Sequence, residues 1–221
     1  MKKKIISYAD EFVPAEGIKL QKKLRSRVIL KWDGRKINLV AGIDVHFPEK
    51  NTAFAAVALF SYPQLELVDS SCAARHCDIA YIPGLLSFRE IPPILKAWNQ
   101  LRKKPDLILC DGQGIAHPRG LGLASHLGIE LDLPTIGCAK SPLFGKYDLP
   151  PPLKGDKSPI FDKERNRIGY VLRTRDNVKP LYISPGHLID IETSVDIVLS
   201  CTTKYKISEP LRAAHRMAGG N

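Results

Sequence analysis

The sequence predicts an α/β fold: a mixed sheet in which an antiparallel meander is followed by parallel strands, flanked by helices. Three observations carry that expectation. Three strand-like runs follow one another closely between Ile37 and Ala73. The run Leu107-Ile-Leu-Cys110 is wholly apolar and leads into a glycine-rich block, the pattern of a strand buried on both faces. From Leu85 onward, helix-like segments alternate with short strand-like ones, as in sheets built from βα units.

Taken in order, an early helix is expected around Pro14 to Arg27. Ile37 to Phe47 alternates, with Ile37, Leu39, Ala41, Ile43 and Val45 on one face and Asp44 on the other. Thr52 to Phe60 and Leu65 to Ala73 read as two more strands, joined through the turn signal Ser61-Tyr-Pro-Gln64. A helix covers about Leu85 to Lys103, with Pro92 and Pro93 expected only in its first turn or at a break. The strand ending at Asp111 follows, then a helix from about Gly120 to Gly128 and a short strand from Pro134 to Ala139. Ser141 to Pro159, basic and proline-rich, reads as a long loop. Ile168 to Thr174 and Leu181 to Ser184 read as late strands. Asp190 to Cys201, amphipathic through Ile191, Val195, Val198 and Leu199, and Glu209 to Ala218 read as closing helices.

A chain of 221 residues without internal repeat or low-complexity linker is expected to form one domain, 1–221, with an ample core. Its 33 basic against 23 acidic side chains leave a formal charge of +10, which favours a polyanionic partner, nucleic acid ahead of an acidic membrane. Part of that charge lies in Lys2-Lys3-Lys4 and in Lys19, Lys22, Lys23, Arg25 and Arg27, runs that also suit a plain solvated face. Only Ile5 and Ile6 follow the first lysines, far short of the roughly 7–15 apolar residues of a secretory signal. No apolar run approaches the roughly 20 residues of a membrane span. The five cysteines form no C-x-x-C pair, so buried reduced thiols and a cytoplasmic location are expected, with no membrane partner.

The separated acids carry the chemical signal. Asp44 lies within the first strand, Asp111 at the end of a parallel strand, where open α/β sheets bind ligands. Glu90 lies on the helix between them. If the first and fourth strands are neighbours, Asp44 and Asp111 stand side by side with Glu90 above. Converging carboxylates of this kind suit Mg²⁺ or Mn²⁺, which can activate water and stabilise displacement at a phosphate. Each acid also has an ordinary reading: Asp111 as an N-cap or turn residue, Glu90 closing a capping box with Ser87, and Asp44 at a strand end.

Seven motifs in order give these acids a context: Val40-Ala-Gly-Ile-Asp44, Tyr81-Ile-Pro-Gly-Leu-Leu-Ser-Phe-Arg-Glu90, Asp111-Gly-Gln-Gly-Ile-Ala-His-Pro-Arg119, Ala124-Ser-His-Leu-Gly128, Gly137-Cys-Ala-Lys140-Ser, Leu181-Tyr-Ile-Ser-Pro-Gly-His187, and His215. Together they resemble the endonuclease V family over residues 10 to 218. The resemblance implies an RNase H-like fold and Mg²⁺-dependent hydrolysis of nucleic acid at inosine, with Mn²⁺ as a substitute. The cut would fall at the second phosphodiester bond 3′ to the lesion, leaving 3′-hydroxyl and 5′-phosphate ends. It further implies Asp44 and Asp111 as metal ligands, Glu90 in the metal and water shell, His215 near the attacking water or a second metal, and Lys140 at the scissile phosphate. Tyr81, Ile82 and Pro83 would form the wedge that fills the space of a flipped base. The family's usual proline before the tyrosine is Ala80 in this chain, which leaves the wedge less rigid. Gly84 and Gly112 would line the inosine pocket with bare backbone.

His117 is open between a phosphate or metal-shell role and a packing one, whereas His126 reads as a packed helix histidine. DNA is favoured over RNA as substrate by the compact length, a repair role follows, and a monomer is expected. An inosine-specific endoribonuclease and a nucleic-acid-binding protein that no longer cleaves are the alternatives. A dinucleotide-binding oxidoreductase fits poorly: His117 stands where G-x-G-x-x-G needs its last glycine, and Asp111 would repel a pyrophosphate.

Overall fold

A computed structural model of the chain describes residues 12–49 and 51–219, so the Lys2-Lys3-Lys4 run and the apolar pair after it lie outside the described residues. Helix α1 (Pro14–Arg25) precedes the meander β1 (Leu39–Glu49), β2 (Thr52–Ser61) and β3 (Leu67–His76). Then come α2 (Ser87–Gln100), β4 (Leu107–Cys110), α3 (Leu123–Leu131) and β5 (Thr135–Ala139). The chain closes with β6 (Lys157–Phe161), β7 (Arg167–Leu172), β8 (Leu181–His187), α4 (Ile191–Ser200) and α5 (Glu209–Met217).

The strands form one eight-stranded sheet in the order β3-β2-β1-β4-β5-β8-β7-β6. β1 pairs antiparallel with β2 and parallel with β4, and β5 extends the parallel part. Past β5 the sheet turns antiparallel again, through β8, β7 and β6. The parallel stretch is therefore three strands wide, bracketed by two antiparallel wings.

Alternation along β1 sorts its side chains to two covered faces rather than to a wet and a dry one. Ala41 and Ile43 pack with Ile91, Ile94 and Leu127 under α2 and α3. Val40 packs with Leu109, Val198, Leu211 and Ala214 under α4 and α5. Helices on both faces explain why the strands read as nearly continuous apolar runs.

Two expectations need correction. Pro92 and Pro93 sit in the second turn of α2, and the helix runs through them. Their ring geometry suits helical φ, and the carbonyls that lose donors are offset by the burial of Ile91, Ile94, Ala97 and Trp98 on one flank. The expected loop from Ser141 to Pro159 ends early, because Lys157 to Phe161 pairs with β7 as an edge strand. An edge is where a strand tolerates a proline such as Pro159.

Helix α5 meets the sheet backbone against backbone at Gly42. A Cβ built on Gly42 would run into the carbonyl carbon and oxygen of Pro210, in the first turn of α5. Only hydrogen fits between them. We expect Gly42→Ala to push α5 off β1 and destabilise the fold by about 1–3 kcal/mol, the usual range for overpacking. Urea denaturation checks this, and an unchanged midpoint would show that α5 is not seated through Gly42.

Candidate active site

The site forms where β1 outruns β4. Pairing ends at Ile43 opposite Cys110, and the next residues on the two strands are Asp44 and Asp111. The Asp111 N–H still donates to the Ile43 carbonyl at 3.1 Å, which fixes the register at this end. Ile43 and Cys110 face α2 and α3, so by alternation both carboxylates face α5.

Seated by Gly42, α5 presents His215, whose Nδ1 lies 2.6 Å from Asp44 Oδ2. Lys140, the residue after β5, brings its Nζ to 2.5 Å from Asp111 Oδ2. Both acid side chains are largely buried, at 11% exposure for Asp44 and 16% for Asp111, while their basic partners are about a third or more exposed. Burial pushes the Asp111 carboxyl above its ordinary range and the Asp44 charge adds to this; Lys140 and His215 pull the other way.

Glu90 enters from the first turns of α2 and is 6% exposed. Burial lifts its carboxyl well above the usual range, and the charges of Asp44 and Asp111 lift it further. Its Oε2 has no hydrogen-bond partner. An unpartnered buried carboxylate oxygen is costly. Among the described residues, Asp44, Asp111 and His215 offer ligand atoms that all lie within 4.8 Å of one another. Hard carboxylate oxygens, one imidazole nitrogen and an orphaned carboxylate beside them make a donor set that a divalent cation such as Mg²⁺ or Mn²⁺ fits. The grouping differs from the sequence expectation in one respect: His215 stands in the compact set, and Glu90 stands beside it.

Next to the acids is a cavity of about 320 Å³, whose walls include Tyr81, Gly84, Asp111, Gly112, Lys140 and Leu143. Tyr81 is 66% exposed at its rim. Ile82, Pro83, Gly84 and Leu85 form a tight turn closed by the Leu85 N–H donating to the Ile82 carbonyl at 2.9 Å. Gly84 has φ +79°, and Pro-Gly at the two central positions is the sequence of a type II turn. At Gly112 an added Cβ would press Leu123 Cδ2 at 3.3 Å.

His117 is placed differently from a phosphate or metal-shell group. Its Nε2 is 3.0 Å from the Gly84 carbonyl, and its Nδ1 accepts from the Arg119 N–H at 3.1 Å. With both ring nitrogens engaged by backbone, the imidazole is a tie between loops. Burial and the nearby Arg119 charge push its pKa down to about 4, so it stays neutral. His126 is fully buried on α3, bonded to Ser87 Oγ at 2.9 Å and edge-on to Phe88.

Two groups near the site are not marked by any motif. Gln21 of α1 is buried and donates to the Gly84 carbonyl; its signal in the sequence was a polar residue at helical spacing from Gly17 and Leu24. Lys206, half-buried between α4 and α5, has its pKa lowered by burial and by the charges of Lys140 and Lys179, with Asp111 opposing. No sequence pattern singles it out.

Comparison with known proteins supplies the context for this geometry. The sequence pattern of the endonuclease V family matches residues 22–216. Endonuclease V of Rippkaea orientalis is 50% identical over 204 residues, covering 92% of this chain and 89% of that protein. The crystal structure of endonuclease V from Streptomyces avermitilis superposes with a TM-score of 0.90 at 38% identity, over 97% of this chain and 95% of that one. Endonuclease V of Ciona intestinalis, solved in complex with a 24mer DNA containing an inosine followed by a ribo-adenosine, gives a TM-score of 0.80 at 28% identity, over 93% of this chain and 95% of that one. The sheet and its flanking helices are accordingly RNase H-like.

The elevated Glu90 carboxyl makes stability depend on pH. The folded protein holds this proton to higher pH than the unfolded chain, so metal-free stability falls as pH rises from the ordinary 4.5 through the raised value. Glu90→Gln removes that loss. In chelator, the variant is expected to be more stable than the parent near pH 8, by a margin that shrinks toward the ordinary carboxylate range. Equal pH dependence of the two proteins in urea denaturation would contradict the assignment.

Proposed function

This chain belongs to the endonuclease V family, and on that footing we propose that it is a metal-dependent endonuclease that recognises inosine in DNA and hydrolyses the second phosphodiester bond 3′ to it. The products would carry 3′-hydroxyl and 5′-phosphate ends, and the role would be repair of deaminated adenine. The observation that carries the reading is one cavity whose walls hold both Gly84 and Gly112, for the base, and Asp111 and Lys140, for the cut. A reader and a cutter sharing one wall suits an enzyme that cleaves at a fixed offset from a recognised base.

In this reading Asp44 and Asp111 hold the cation, with Glu90 in the metal and water shell. A bound Mg²⁺, or Mn²⁺ in its place, would lower the pKa of water and offset charge on a phosphate oxygen. Lys140 turns from Asp111 to the scissile phosphate and neutralises charge that develops there. His215, from its position against Asp44, is set to orient the attacking water or relay its proton. Tyr81, with Ile82 and Pro83, fills the space of the extruded base and offsets part of the few kcal/mol that unstacking costs. Backbone at Gly84 and Gly112 lies close to hypoxanthine and leaves no room for the exocyclic amine of guanine.

The relative from Ciona intestinalis was solved with inosine in DNA, which supports DNA as the partner here. The ribo-adenosine beside that inosine favours inosine-specific cleavage of RNA as the second reading. A cytoplasmic monomer completes the proposal; all five cysteines are unpaired, and no described helix is long and apolar enough to cross a membrane.

The test is nicking of an inosine-containing duplex. With Mg²⁺ the parent is expected to nick 3′ to inosine, and with chelator not at all. Asp44→Ala and Asp111→Ala are expected to lose about a thousandfold or more, the several kcal/mol that a catalytic cation supplies. Turnover by Asp111→Ala at the parent rate would sink the metal-site assignment.

A further inference from the structure

The turn that carries the exposed Tyr81 is anchored by residues far away in the chain. The Gly84 carbonyl accepts from Gln21 Nε2 at 2.8 Å, from Arg119 Nη2 at 2.6 Å and from His117 Nε2 at 3.0 Å. Gln21 spends its remaining polar capacity on the same assembly. Its Nε2 also donates to the Leu121 carbonyl at 3.3 Å, and its Oε1 accepts from Arg119 Nε at 2.5 Å. Gln21 is 1% exposed, although it sits on a helix at the edge of the fold. Leu24, one turn further along α1, packs on Leu121 and Ile129, so the helix that delivers Gln21 is itself seated on the loop and helix after β4.

A surface turn needs no such anchoring, since water satisfies a turn carbonyl. Here three donors converge on one carbonyl at a residue held at φ +79°, where an added Cβ would also strike Arg119. Donors on a carbonyl polarise the peptide and strengthen the bond made by its N–H. The N–H of that peptide belongs to Leu85 and closes the turn onto Ile82. The anchor therefore stiffens the element that separates the exposed tyrosine from the base-lining glycine.

We infer that Gln21 is a positioning residue for base extrusion: with Arg119 and His117 it holds the Ile82–Leu85 turn so that Tyr81 stays in place while a paired base is forced out. This rests on the inosine-directed reading above. The inference assigns Gln21 no contact with substrate or metal, so its loss should matter most when there is a base pair to open.

The test compares two substrates that differ in pairing alone: inosine paired within a duplex, and the same inosine held in an unpaired bubble. Gln21→Leu keeps the side-chain bulk and removes every hydrogen bond. It is expected to nick the paired substrate about tenfold more slowly than the parent, the scale of a buried carbonyl losing a donor, and to be slowed distinctly less on the bubble. Should Gln21→Leu fail to fold, Gln21→Met gives the same comparison, because its unbranched side chain follows the path of the glutamine and donates nothing to Gly84. Equal slowing on both substrates, or no slowing on either, overturns the inference. A parent protein that nicks neither substrate would instead overturn the inosine reading itself.

Discussion

Three carboxylates held together against their own repulsion, with little water to screen them, are the constraint around which this molecule is arranged. Asp44 and Asp111 are fixed by strand register, and Glu90 by a helix clamped to the sheet through Ile91, Ile94 and Ala97. None of the three can swing far to relieve its neighbours. Lys140 lies against Asp111 and His215 against Asp44, while at Glu90 the buried Arg89 guanidinium is the opposing charge. The orphaned Oε2 of Glu90 is where the arrangement remains unbalanced. The surrounding apolar packing has to exceed the electrostatic cost, and the acids sit at the edge of two dense clusters.

Legibility in the sequence followed the physics of each element. Strands with strong apolar patterning, such as Ala53 to Phe60 and Leu107 to Cys110, were readable because burial on both faces leaves no other composition. β6 was not, because Lys-Ser-Pro-Ile-Phe has loop chemistry and becomes a strand only by pairing with β7. The second-turn prolines of α2 escaped for a related reason: their local penalty is outweighed by tertiary burial that no local window contains. Asp44 and Asp111 were readable as a pair once the first and fourth strands were taken as neighbours. The grouping of His215 with them depends on the Gly42–Pro210 contact, a pairing of residues 168 positions apart in the chain.

The site's two tasks are mechanically connected. The loop after β4 starts at Asp111, one of the converging acids, and continues through His117 and Arg119, which bind the Gly84 carbonyl. One segment thus runs from the acid to the anchor of the exposed tyrosine. Its glycines mean different things along that path. Gly112 faces the cavity, while Gly114 and Gly122 allow backbone to lie against backbone, against β8 and within the loop itself. A glycine-rich stretch that reads as a single feature is divided between the cavity and the frame that supports it.

That Asp44 lies on β1 and Asp111 directly follows β4, its parallel neighbour, has a further consequence. Neighbouring strands lie about 4.7–4.9 Å apart whatever side chains they carry, so the spacing of the two backbones that carry the acids is a property of the ladder. The sheet acts as a gauge block. On the proposed reading, residues around the cavity can change and retune which base is accepted without altering the spacing of the acids, so that specificity can drift while the chemistry stands still.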